Sequence, residues 1–128
     1  MKRLVMLTLL IVFASTALTL AAGLQVAQGV ITTQVKDRMP VDEVKSTAAS
    51  VGKLYCFTKI VGAEGETTVS HVWYHAGKEV FRISFPVKGA SWRVYSAKTI
   101  YPEMTGEWKV DVLDASGTLL SSIPFTVN

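Results

Sequence analysis

From Gly52 onward, apolar and polar residues alternate in short runs closed by glycine or proline: LYCFTKIV, TTVSHVWYH, KEVFRISF, SWRVYSAKTI, EWKVDVLD and TLLSSIPFTV. A period of two marks a strand with one buried face, because successive side chains point to opposite sides of a sheet. The clearest case alternates Trp108, Val110 and Val112 with Glu107, Lys109 and Asp111, which puts an apolar face inward and a charged face in water. Phe81, Ile83 and Phe85 oppose Arg82 and Ser84 in the same way, and Ile123, Phe125 and Val127 oppose Pro124 and Thr126. Upstream, Leu24 to Met39 holds Val26, Val30, Ile31 and Val35 among polar and β-branched residues, and predicts a first strand. Met39 to Ser50 is polar or small and carries Pro40, which predicts a connecting loop with one short helical turn. Asp114-Ala115-Ser116-Gly117 and Ala76-Gly77 predict tight hairpin turns. About seven strands with no helix-length segment between them predict an all-β fold, an antiparallel, immunoglobulin-like β-sandwich, although the Cys, Trp, Cys hallmark of true immunoglobulin domains is absent.

The N-terminus follows a different pattern. Met1-Lys2-Arg3 is a short positive start, and no charge follows from Leu4 to Ala22, a run with Leu9-Leu10-Ile11-Val12-Phe13 at its heart. This predicts a hydrophobic signal helix over residues 1–23, with Ala21 and Gly23 as the small residues before the cut, and one β-sandwich domain over residues 24–128. The alternative is an uncleaved anchor, since the apolar run approaches the roughly 20 residues that span a bilayer. Either way the body is expected outside the cytoplasm, periplasmic or extracellular, and touching membrane only through the N-terminal segment.

Composition narrows the function. At 128 residues, with 49% hydrophobic and 18% charged positions, the chain is long enough to bury an ordinary core and too apolar for disorder. Its 13 cations exceed its 10 anions, but without Lys2 and Arg3 the excess falls to one, so no nucleic-acid partner is expected. Cys56, the single cysteine, has no disulfide partner and sits in an apolar strand, where a free thiol behaves as a small hydrophobe.

Candidate chemistry is sparse. His71 and His75, the only two histidines, would stand about 13 Å apart on one strand face, too far to share a zinc held at about 2.1 Å. No metal and no cofactor is expected, and no phosphate loop, dinucleotide fingerprint or nucleophile elbow is present. Trp108 reads as core, whereas Trp73 and Trp92 read as core or as platforms on which a sugar could stack. The one polar constellation is His71, Arg93 and Lys98, with Trp73 beside them, which would bind an anion if the strands brought them to one sheet edge. Against it stands a bland reading, a hydrogen-bonded core histidine and solvated cations.

The motifs H-x-W-Y-x-x-G (from His71), W-R-x-x-S-x-K (from Trp92) and T-G-x-W-x-V-x-V (from Thr105), preceded by Leu54-Tyr55-Cys56-Phe57-Thr58, resemble the bacterial family known as domain of unknown function 2914. The resemblance implies an extracytoplasmic or membrane-tethered module and carries over no activity. Together these observations point to a non-catalytic, exported β-sandwich binding module of the bacterial cell envelope, with a partner protein or a glycan as ligand. The alternatives are a purely structural envelope domain and, last, an enzyme with a site assembled around His71. If the chain is exported and processed, mass spectrometry of the exported product should find a mature N-terminus at or next to Leu24. An N-terminus at Met1 or Lys2 would mean an anchor instead.

Overall fold

The computed structural model describes residues 23–128, so the predicted signal helix and the bonds before Gly23 lie outside the described residues. Ten strands make up most of the rest: β1 (Gln25–Thr32), β2 (Val35–Lys36), β3 (Met39–Pro40), β4 (Ser46–Thr47), β5 (Lys53–Val61), β6 (Thr67–His75), β7 (Lys78–Val87), β8 (Ser91–Thr99), β9 (Gly106–Leu113) and β10 (Leu119–Val127). The seven long strands fall on the seven segments that alternate in the sequence. They form a three-stranded sheet, β1-β5-β8, and a five-stranded sheet, β4-β10-β9-β6-β7, while β2 and β3 pair as a small hairpin. No helix among the described residues is long and apolar enough to cross a membrane.

The stretch from Leu24 to Ser50 departs from expectation in two places. A 3₁₀ turn at Ala49–Val51 supplies the helical turn, but Ser46–Thr47 adds a strand, parallel to the end of β10, which two residues without a pattern could not announce. The predicted first strand also ends early. After Thr32 the chain turns into the β2–β3 hairpin, whose central Asp37 and Arg38 both have positive φ, 52° and 63°. Asp42 closes the base of this excursion: it accepts from the Thr32 hydroxyl at 2.6 Å, the Thr33 amide at 2.8 Å and the Thr33 hydroxyl at 2.6 Å. Partial burial pushes the Asp42 carboxyl up, but these bonds outweigh it and hold the group below its usual range.

The three-stranded and five-stranded sheets share their core. Ile31, Leu54 and Cys56 from the first meet Trp73, Trp108, Val110 and Phe125 from the second, and Ile60 and Val94 meet Val69 and Val112 in a neighbouring cluster. Trp73 stands edge-on to Trp108 at 6.5 Å and to Phe125 at 6.2 Å between ring centres, the arrangement that aromatic quadrupoles favour. At the predicted hairpin, the Asp114 carboxylate accepts from the amides of Ser116 and Thr118, both at 2.9 Å, and Gly117 takes φ 86°.

One face assignment needs correcting. Asp111 and Lys109 do point away from the core, but Asp111 is only 9% exposed, accepts from the Ser122 hydroxyl at 2.7 Å and lies 3.4 Å from the Lys109 ammonium. That ammonium also sits 4.9 Å from the centre of the Tyr74 ring. Side chains of neighbouring strands thus cover the middle of the outer face, and Lys109 is not a free surface cation. Trp108→Ala should therefore cost about 3–5 kcal/mol in chemical denaturation, while Lys109→Ala should cost about 1 kcal/mol rather than nothing, because it leaves a nearly buried carboxylate without its cation. Equal stability of the two variants would overturn the face assignment.

Candidate functional site

β6 carries His71 and Trp73 to the interior, since residues two apart share a face. His71 is completely buried and spans the two sheets: its Nδ1 lies 2.7 Å from the Ser96 hydroxyl on β8 and its Nε2 lies 3.0 Å from the Thr58 hydroxyl on β5. Trp73 donates its indole N–H to the same Ser96 oxygen at 3.0 Å. A neutral imidazole donates through one nitrogen and accepts through the other, and two hydroxyls can serve it in either tautomer. Burial pushes the His71 pKa down from 6.5 to about 4, so the ring is neutral at physiological pH. Phe85 stands edge-on to it at 5.1 Å and completes the apolar wall.

The four residues singled out in the sequence do not meet at one ligand. His71 and Trp73 are tied together through Ser96, but both are fully buried and out of a ligand's reach. Arg93 is exposed on the opposite face of β8 from Ser96. Lys98 lies five positions further along the strand, about 16 Å away at the usual rise per residue, where it donates to the Thr99 carbonyl at 3.0 Å and reaches the Tyr101 ring at 5.8 Å. The alternation of β8 separates Arg93 from the histidine, and it also puts Arg93 and Lys98 on opposite faces of the strand. His75 is likewise occupied, with its ring N–H donated to the Thr105 carbonyl at 2.7 Å and its plane lying against Trp108 at 4.8 Å. Among the described residues no group of three or more His, Cys, Asp and Glu could hold a metal. Burial raises the Cys56 pKa far above its usual range, which leaves an inert thiol.

Arg93 instead meets a residue the sequence did not single out. Arg38, at the turn of the β2–β3 hairpin, lines with Ser91, Trp92 and Arg93 a hollow of about 280 Å³ at the start of β8. Both arginines are exposed, and among the described residues neither forms an ion pair. The Trp92 indole is half-buried, with its inner side packed on the smaller core cluster. A Cβ at Gly89 would stand 3.4 Å from its ring, so the absent side chain lets the indole lie close to that backbone. Lys59 stands directly across the sheet from Arg93, a like-charge pairing that costs stability and adds to the positive field. A larger groove of about 430 Å³ beside β10 is less suited to a ligand, because Lys45 there is already paired with Glu43 at 2.9 Å and Glu107 adds a further negative charge. Nothing in the alternation pattern could reveal Arg38, whose position depends on the fold-back of the hairpin.

The motif residues are now in place: His71, Trp73, Ser96 and Trp108 hold the two sheets together, and Gly106 takes φ 114° at the start of β9. The comparison with known families bears on the same stretch. Residues 66–127 match the model of a family described as protein of unknown function (DUF2914). It is the family that the motifs resemble, and the matched stretch runs from the loop before β6 to the end of β10. Leu54 to Thr58, and Arg38, lie before it. No curated protein matches the chain.

The buried histidine makes stability depend on pH. Its folded pKa of about 4 lies below the unfolded value of 6.5, so between these values the unfolded chain binds a proton that the folded chain refuses. The stabilisation is complete above about pH 6.5 and should fall by about 3 kcal/mol as the pH drops to about 4. Urea denaturation at pH 7, 5.5 and 4 reads this directly, and a flat profile across that window would sink the assignment. Asp42 and Asp114, both held below 3.8, add their losses only at lower pH.

Proposed function

We propose that the chain is a non-catalytic, exported binding module of the bacterial cell envelope, with an immunoglobulin-like β-sandwich fold, and that it holds an anionic envelope glycan in the hollow of Arg38, Trp92 and Arg93. The observation that carries this reading is the pair of arginines without ion-pair partners among the described residues, lining one hollow together with Trp92. A guanidinium presents a planar fork of N–H groups to an oxyanion, and an indole offers the apolar face on which sugar rings pack. A second feature supports it. Non-glycine residues at positive φ cost on the order of 1–3 kcal/mol each and cluster at ligand clamps, and Arg38 is one of three in the described chain. The non-catalytic part rests on how these groups are held: the His71 imidazole and the Cys56 thiol are both shut in the core, and the His75 ring is already bonded to the Thr105 carbonyl. A purely structural role would explain the hydrogen bonds of His71 but not the hollow.

The test is an array of acidic and neutral bacterial envelope glycans presented to the domain from Leu24 onward. Acidic glycans should retain the wild-type domain and fail to retain a variant carrying both Arg38→Ala and Arg93→Ala, with the melting temperature of the variant within a few degrees of the parent. Retention on neutral glycans alone, or equal retention of the variant, would overturn the proposal.

A further inference from the structure

We infer that the acidic group held in this hollow is a phosphoryl group on a single sugar ring, an inference that rests on the binding site proposed above. Three features distinguish a phosphoryl group from the carboxylate of a sugar acid. The first is the number of donors. A carboxylate has two coplanar oxygens, which one guanidinium fork already satisfies, whereas the hollow offers two forks from separate elements together with the Ser91 hydroxyl. A phosphate monoester has three strong acceptor oxygens arranged around phosphorus, enough to meet both forks and the hydroxyl. The second is charge. Arg38 and Arg93 line the hollow with no carboxylate among its lining residues, and Lys59 across the strand from Arg93 raises the local positive potential. A phosphate monoester carries about −1.5 to −2 at pH 7, against −1 for a carboxylate. The third is size. At about 280 Å³ the hollow lies just below the range of about 300 to 1,000 Å³ common for ligand sites, so it suits one substituted ring rather than a long saccharide.

The backbone supports the same assignment. Asp37 and Arg38 occupy the turn of a hairpin whose base Asp42 clamps to Thr32 and Thr33, so the backbone that carries Arg38 is held in place. A fixed backbone leaves less freedom to lose when the side chain meets its anion. Trp92 lines the hollow, so its emission reports occupancy, although Trp73 and Trp108 also contribute to the total signal.

The experiment titrates the domain from Leu24 onward with glucose 6-phosphate, glucuronate, glucose and inorganic phosphate, by calorimetry and by tryptophan fluorescence, at pH 7.5 and low salt. Glucose 6-phosphate should bind at least tenfold more tightly than glucuronate and also more tightly than inorganic phosphate, and glucose should not bind measurably. Arg38→Lys and Arg93→Lys should each weaken binding of glucose 6-phosphate about tenfold while leaving the melting temperature unchanged, since the charge remains and only the fork is lost. Affinity should also fall below about pH 6, where the phosphoryl dianion takes up a proton and becomes a monoanion. If glucuronate binds as tightly as glucose 6-phosphate and the arginine variants abolish both, the phosphoryl assignment fails and the anionic-glycan site stands. If inorganic phosphate binds as tightly as glucose 6-phosphate, the sugar ring is not part of the ligand and the inference fails. If neither sugar anion binds, the inference and the site fail together.

Discussion

A buried polar group must find its hydrogen bonds inside the protein, and in this chain that constraint centres on His71. Leaving a buried donor or acceptor unmade costs about 1–3 kcal/mol, a large fraction of the 5–15 kcal/mol by which an ordinary domain is stable. The imidazole meets the requirement with one hydroxyl from each of two neighbouring strands of the opposite sheet, Thr58 on β5 and Ser96 on β8. Because Ser96 also takes the indole N–H of Trp73, the three bonds cross between the sheets at one level. A slip of one residue in β6 would turn His71 and Trp73 to the outer face and leave both hydroxyls orphaned, so the cluster specifies register more sharply than apolar packing could.

With the register settled, the remaining layers follow. Trp73 is held edge-on to Trp108 and Phe125, and Trp108 in turn donates its indole N–H to the Met104 carbonyl at 2.9 Å and lies against His75. The aromatic column occupies one end of the core, and smaller aliphatic residues fill the other. On β8 the same alternation that sends Ser96 inward sends Arg93 outward. The polar interior and the charged exterior are thus two sides of one strand, with separate tasks: one joins the sheets and the other faces solvent.

The outer face of the three-stranded sheet is not simply solvated. Phe57 points away from both core clusters, yet it is completely buried, with Val30 and Tyr95 as its partners across the sheet. The β2–β3 hairpin leaves the end of β1 beside this face and reaches the start of β8, where Arg38 joins Trp92 and Arg93. The Asp42 clasp and the two positive φ angles belong to this excursion, and they place backbone strain next to a concentration of unneutralised charge. Strain and like charge persist in folded proteins where the surrounding structure enforces them, and they gather at sites that do something.

Much of this protein is legible in its amino-acid order. The period of two locates the seven long strands and names the inner faces of β7, β9 and β10, because an alternating strand can bury only one set of side chains. The turns at Asp114 and Gly77 are equally readable, since a short carboxylate and a residue free to take positive φ act locally. The candidate site was half readable. Arg93 and Trp92 belong to a motif, but bringing Arg93 to His71 needed a bulge or a shared sheet edge, and β8 runs from Ser91 to Thr99 without a register shift. What no local rule contains is long-range placement: the partners of His71 lie 13 and 25 residues away, and Arg38 reaches Arg93 across 55 positions because a hairpin folds back over the sheet. Periodicity is a property of neighbouring residues and sets the faces of strands; which faces meet, and which charges are left without partners, is decided only when distant segments compete for the same buried space.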